Sequence, residues 1–554
     1  MQLRKIAFFL GFGSALAGEF AAAQTADQAW QRPLPAAMVT LPSKVRALGT
    51  LRKTATLEKT AADELRRGLA AQALPGESAK PADAGEIVLG TVREIRDAGL
   101  DVPVPDDLRP GGYWIFADIY RGSRHKVVVA GADDAGVLYG AFALLRLAAD
   151  GENHNLHDHP VRSSPGYAIR WSEEWDNADG TVERGYAGKS IFFEGGKVRE
   201  DLAAASEYAR LLASVGMNGC NVNNVNNATV FLEPEMLKGL ARIADAMRPW
   251  GVHLAMSVDV ASPKSVGGLK TFDPADPAVK AWWKQKADEI YALIPDMAGF
   301  TVKADSEGQP GPASYGRTPA DAANTLAAAL APHGGVVLYR AFVYNHHLDW
   351  TNPKADRARA AYDIFHPLDG KFAPNVIVQI KEGPIDFQVR EPVSPLFAGL
   401  RQTRSAMELQ ITQEYLGQQR HLVYIAPMWK EVLDFDLRAG GRPTPVKAIL
   451  AGRAFGQPPS GMVGVASVGR DEWLGSPLAL VNLYAFGRLA WDPNLDPATI
   501  AAEWTRRSIG NDPKVVSTVV KMLMQSWPAY ESYTGPLGLQ TLTDITGSHY
   551  GPNV

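Results

Sequence analysis

Gly299-Phe-Thr-Val-Lys-Ala-Asp-Ser-Glu-Gly-Gln-Pro-Gly-Pro312 reads as a short apolar strand running straight into a polar, Gly/Pro-rich loop. After a helical stretch comes a second strand, Val336-Val-Leu-Tyr-Arg-Ala-Phe342, again with a charge near its end. Strand, polar loop, helix, strand is the repeating unit of a parallel sheet. The unit recurs on both sides. Tyr167–Trp171, Gly219–Asn223 and His253–Val258 precede it; Val376–Lys381, His421–Ala426 and Gly461–Val465 follow. Asp201–Gly216 and Glu233–Trp250 are the clearest helices between them. Eight such runs predict a (β/α)8 TIM barrel over 151–480. The rival is an open doubly wound sheet. No Gly-x-Gly-x-x-Gly follows the first strand, which argues against dinucleotide binding.

Residues 24–150 read as a small N-terminal α/β domain. Val45–Leu74 is helical in pattern, and Glu86–Gly90, Gly112–Phe116 and Lys126–Ala130 are strand-like. Gly136–Leu147 is a helix with an apolar stripe. Asp150–Ser164 is a polar linker; its His154, His157 and His159 read as linker residues rather than metal ligands. Beyond the barrel, 481–554 is a helical C-terminal region. At the other end, Arg4 and Lys5 precede an apolar run, Ile6–Ala17, and Ala21-Ala22-Ala23 offers a cleavage site. That is the layout of a secretory signal peptide over 1–23, and it predicts export to the periplasm or medium. The run is short of the ~20 residues a membrane span needs.

Composition is ordinary for a globular protein: 46% hydrophobic, 21% charged, net charge -4. Nothing in it calls for nucleic acid or an anionic membrane as partner. The single cysteine, Cys220, excludes an intrachain disulfide and a C-x-x-C zinc site.

In a barrel, the residues just past the strand ends carry the chemistry. Here these are Glu173 to Asp176, Asn223 to Asn227, Lys303 to Glu307, Arg340 to His347, and Lys381, Glu382, Asp386, Arg390 and Glu391. Breaking a glycosidic bond needs one carboxylic acid and one carboxylate on opposite sides of the sugar. Glu307 fits the first role; Asp363 and Glu391 fit the second. Lys303 and Arg340 could bind an acidic sugar, or pair with a pocket carboxylate. Trp171, Trp175, Tyr339 and Tyr344 could supply sugar-stacking faces or belong to the core.

Trp175–Phe192, Lys303–Pro312, Tyr339–Tyr344, Asp356–Phe372 and Val376–Phe397 together resemble the signatures of glycoside hydrolase family 67, the α-glucuronidases. The resemblance implies release of (4-O-methyl-)glucuronic acid from glucuronoxylan-derived oligosaccharides by inversion, without metal or organic cofactor. It implies Glu307 as general acid and Asp363 with Glu391 as the base pair. Lys303 and Arg340 would bind the uronic carboxylate and nearby hydroxyls, and Trp175 and Val225 would form the apolar patch at the 4-O-methyl group. Asp369 rivals Asp363, and local sequence does not separate them. The acid and base carboxylates should stand ~6.5–9.5 Å apart. Glu307 is expected to have a raised pKa, and the base pair to titrate together. Family members continue into a larger C-terminal domain that serves in some as a dimer interface, so a homodimer is a weaker expectation here. The rival functions are a hexosaminidase-like glycosidase, whose adjacent Asp-Glu pair is split here as Asp305-Ser-Glu307, and an inactive xylan-oligosaccharide-binding protein.

Overall fold

The computed structural model describes residues 25–34, 44–48, 56–69, 85–119, 125–150, 154–183, 187–226, 229–343, 352, 354, 356–382, 390, 392–412, 422–471, 473–534, 543–546 and 549–552. The expected signal peptide lies outside them.

The N-terminal unit is a five-stranded sheet in the order β1-β2-β4-β3-β5. Its strands are β1 (Lys44–Ala47), β2 (Glu86–Thr91), β3 (Tyr113–Ile119), β4 (His125–Gly131) and β5 (Val161–Ser163), with helices α1 (Thr56–Leu69), α2 (Val92–Asp97) and α3 (Asp134–Ala149). β1, whose Val45–Ala47 is expected as the start of a helix, pairs parallel with β2 instead. Thr91 and Glu94 form a capping box that starts α2.

The barrel strands are β6 (Ile169–Glu174), β9 (Gly219–Asn221), β10 (His253–Val258), β11 (Gly299–Val302), β12 (Val336–Arg340), β13 (Val376–Lys381), β14 (Ser405–Gln410) and β15 (Gly461–Ala466). They close in chain order, each parallel to its neighbours, as a (β/α)8 barrel. A small hairpin, β7 (Phe193–Glu194) and β8 (Lys197–Val198), interrupts the first unit. The helices between strands are α4 (Ala203–Ser214), α5 (Pro234–Met247), α6 (Ser262–Ser265), α7 (Pro277–Leu293), α8 (Pro319–Leu330), α9 (Arg357–Phe365), α10 (Leu396–Gly399), α11 (Ala426–Asp434) and α12 (Val446–Leu450). Asp276-Pro277 and Thr318-Pro319 set the starts of α7 and α8: the side chain caps a free N–H and proline pre-forms the first turn.

One strand differs from expectation. The described part of the expected run His421–Ala426, from Leu422 on, is not a barrel strand; Ser405-Ala-Met-Glu-Leu-Gln410 is. The polar residues of β14 hide it, because Glu408 points into the barrel to meet an arginine. The apolar Leu422–Ile425 is instead covered by C-terminal helices: the Tyr424 N–H donates to Ser526 Oγ and the Ile425 N–H to Asn482 Oδ1. Those helices are α13 (Leu480–Trp491), α14 (Pro497–Ser508) and α15 (Pro513–Thr534).

The three units interlock through buried arginines. Arg210 on α4 holds Glu64 of α1 with bonds of 2.9 and 2.7 Å. Arg507 on α14 donates to the Trp30 carbonyl at 3.1 Å.

Candidate active site

The barrel interior is built in two layers. The lower one is apolar: Ile169, Trp171, Ala255, Leu338, Ile377, Ala406 and Val463. Gly219 leaves room there for the Trp171 indole, which a Cβ would meet at 2.4 Å. Because side chains alternate along a strand, the residue two further on points inward at the next level. That step turns Trp171 into Glu173, Leu338 into Arg340, Ile377 into Gln379 and Ala406 into Glu408. An apolar floor thus carries a polar layer at the strands' C-terminal ends.

The polar layer is one connected network. Arg340 donates to Glu408 through Nε at 2.7 Å and Nη2 at 2.6 Å. The Gln379 amide donates to Glu408 at 2.6 Å and to Glu173 at 2.9 Å. Trp175 Nε1 donates to the other Glu173 oxygen at 3.1 Å. Burial and the neighbouring Glu408 push the Glu173 carboxyl up. Burial opposes the Glu408 charge as well, but the Arg340 guanidinium outweighs it and keeps Glu408 low. Within the pair the guanidinium thus favours the charge on Glu408 over that on Glu173.

Above the network, three cations surround one ring. The Lys381 Nζ lies 4.7 Å from the Phe342 centroid, the Arg340 guanidinium 5.5 Å and the Lys303 Nζ 5.9 Å. The Trp175 ring flanks Arg340 at 5.7 Å and forms an apolar patch with Val225 and Val465.

Glu307 projects from the loop after β11. It and Asp305 are two of four non-glycine residues with positive φ among the described residues, at 50° and 51°. Such backbone costs about 1–2 kcal/mol per residue and persists where the surroundings hold it. The holds are visible. Asp305 accepts the Ala313 N–H at 3.1 Å, the Gln309 N–H donates to the Ser306 carbonyl at 2.8 Å, and Lys303 forms an ion pair with Glu307.

The structure thus gathers Glu307, Lys303, Arg340, Trp175 and Val225, and both expected cations are engaged by carboxylates. It does not gather Asp363. That residue sits on α9 with its side chain 51% exposed, and Arg359 is its ion-pair partner at 3.4 Å. Among the described residues, no hydrogen bond or ion pair joins it to Glu307, Lys303 or Arg340. Its rival Asp369 binds the Arg401 and Gln402 N–H groups and serves the chain turn there. Glu391 lies outside the described residues, as do Tyr344, His346, His347 and Asn227. Tyr339 packs against Phe365, and Trp171 belongs to the barrel floor. His154 is tied to Asp150 at 2.6 Å.

The expected rise of the Glu307 pKa is reversed. Burial pushes this carboxyl up, but Lys303 beside it, with Lys381 and Arg340, holds it down at about 2. Sequence inspection missed Glu408 and Gln379 as members of the site, and placed Lys381 on the catalytic face without giving it a role. Strand alternation could have found Gln379, which lies two residues beyond Ile377.

Residues 150–473 match the glycosyl hydrolase family 67 middle domain, 32–144 its N-terminus and 474–554 its C-terminus. Alpha-glucuronidase A of Emericella nidulans is 50% identical over 559 residues, covering 98% of this chain and 65% of that protein. Probable alpha-glucuronidase A of Aspergillus clavatus is 52% identical over 469 residues, covering 84% and 55%. The chain therefore spans 55–65% of the length of these relatives. In fold it is similar to the structure of a family GH115 4-O-methyl-alpha-glucuronidase (TM-score 0.53, 14% identity, 89% of this chain and 63% of that one). The three matched segments run in order from residue 32 to residue 554, and the chain belongs to glycosyl hydrolase family 67.

Proposed function

We propose that this chain carries the catalytic site of an α-glucuronidase. Its reaction is hydrolysis of the α-1,2 bond between (4-O-methyl-)glucuronic acid and xylose in glucuronoxylan-derived oligosaccharides, by a single inverting displacement. The observation that carries this reading is the ring of three cations around Phe342 beside the Glu307 carboxyl. A neutral sugar has no use for so much buried positive charge; a uronic carboxylate does. The names of the relatives point the same way.

In this reading the sugar carboxylate lies against Lys303, Arg340 and Lys381. The patch of Trp175, Val225 and Val465 receives the 4-O-methyl group. Glu307 protonates the leaving oxygen, and a carboxylate on the far side activates water. Barrel chemistry sits directly after strand ends, which ranks the base candidates. Asp386 and Glu391 follow β13 in the chain, and Glu414 follows β14 once that strand is placed at Ser405–Gln410. Asp363 ranks below them because its helix is on the outside and its carboxylate is half exposed.

The test is release of uronic acid from aldouronic oligosaccharides, run beside a hexosaminide. Proton NMR should find the β-anomer of the free uronic acid first. Cleavage of the hexosaminide alone would overturn the assignment, and an initial α-anomer would overturn inversion. Binding without turnover would favour a sugar-binding protein. We also infer export, from the Arg4 to Ala23 segment. The exported protein should begin at Gln24 on N-terminal sequencing.

A further inference from the structure

The three cations of the pocket are not held alike. Arg340 is committed to Glu408 by two short bonds, and both side chains are buried, at 2% and 0% exposure. Lys303 is also buried, at 3%, but its carboxylate partner Glu307 is 39% exposed. The ammonium has a second anchor: it donates to Asn226 Oδ1 at 2.6 Å. Asn226 is itself held by Glu183, which accepts its amide at 2.9 Å and that of Asn224 at 2.7 Å. Lys303 thus has two partners that solvent reaches, the neutral Asn226 and the anionic Glu307. A carboxylate entering the pocket competes with Glu307 for the ammonium; it cannot displace Glu408 from Arg340 in the same way, because both members of that pair are buried.

We propose that Lys303 is a carboxylate-exchange switch: a uronic acid entering the pocket takes the ammonium from Glu307, and the released Glu307 takes a proton from solvent and becomes the acid. This rests on the reading of Glu307 as general acid in a uronic acid pocket. It goes beyond that reading by making the substrate's own charge the trigger of the acid.

The charges facing Glu307 fix the direction. With Lys303 paired to it, and Lys381 and Arg340 nearby, Glu307 is ionised. An incoming carboxylate neutralises Lys303 and places a negative charge beside Glu307. Both changes favour the protonated form, and burial acts in the same direction. Arg340 is already balanced by Glu408, the Glu173 carboxyl is raised, and Glu183 is occupied by two asparagine amides. Lys381 still opposes protonation of Glu307, and an incoming carboxylate offsets part of its charge. The proton comes from water, so no co-reactant is needed. A neutral sugar of the same shape leaves the Lys303–Glu307 pair intact. Discrimination against it then falls on the chemical step as well as on binding.

Binding calorimetry tests this without turnover. D-glucuronate and D-glucose are titrated into the full chain at about pH 5.5, where a sugar carboxylate is ionised. Two buffers of different ionisation enthalpy report the protons exchanged. The wild type should take up about one proton per glucuronate bound, and the Glu307→Gln variant about none. Glucose should give no uptake with either protein. Glucuronate binding without uptake, or equal uptake by wild type and Glu307→Gln, would overturn the switch alone. A protein that binds no glucuronate overturns the pocket assignment and the switch with it.

Discussion

Arg340 at the end of β12 reaches Glu408 on β14, across the intervening β13, and closes two hydrogen bonds of 2.7 and 2.6 Å inside the barrel. This link places a fixed guanidinium between the apolar floor and the pocket. Removing one member of such a buried pair leaves an uncompensated charge.

Glu408→Ala should therefore destabilise the protein by about 3–5 kcal/mol. Urea unfolding measures it. Glu408→Gln keeps the shape and an acceptor oxygen and should cost less. Equal losses for both variants would show that charge balance is not what Glu408 supplies.

Glu307→Gln should lower kcat by about 10²–10⁴-fold on natural oligosaccharides, the range a positioned general acid contributes. Substrate binding should survive, because Lys303, Arg340 and Lys381 remain. Unchanged kcat would remove Glu307 from the acid role.

Val225 packs with Trp175 and Val465 in the apolar patch. Val225→Ser should lower the preference for methylated over plain glucuronic acid by about tenfold, the scale of one lost apolar contact. Comparing kcat/KM for the two sugars reads this out. An unchanged ratio would move the methyl site elsewhere.

Asp176 gives a stability prediction with a defined pH window. Burial pushes its carboxyl up from 3.8 to about 8, although Ser190 hydrogen-bonds to it. A raised folded pKa means that the fold favours the proton. This contribution is fully present below the unfolded pKa and is lost as pH rises towards about 8. Wild-type melting temperature should thus fall across that window relative to Asp176→Asn. Parallel pH profiles for the two proteins would show that Asp176 is ionised in the fold.

Much of the architecture was legible in the chain. His253–Val258 and Val376–Lys381 match their observed strands end to end, because one face of each is wholly apolar: Leu254, Met256 and Val258, and Val376, Val378 and Ile380. β14 was not legible. Its inward positions carry Glu408 and Gln410, and a polar residue in a barrel interior looks like a loop residue when its partner is 68 positions away. The apolar run that took its place, Leu422–Ile425, owes its burial to helices much later in the chain.

The sequence by itself determined the barrel repeat, the caps that start its helices, and the members Glu307, Lys303, Arg340, Trp175 and Val225. Periodicity, capping and motif are local, and local order is written in neighbouring residues. Only the tertiary structure decided how those members are charged and paired. Glu307 was expected to hold its proton, yet folding brings Lys303, Lys381 and Arg340 around it, and their summed field exceeds the effect of burial. The same closure took Asp363 to an outer helix and brought Glu408 and Gln379 under the pocket. Electrostatic balance depends on distances between strands, and those exist only once the barrel has closed.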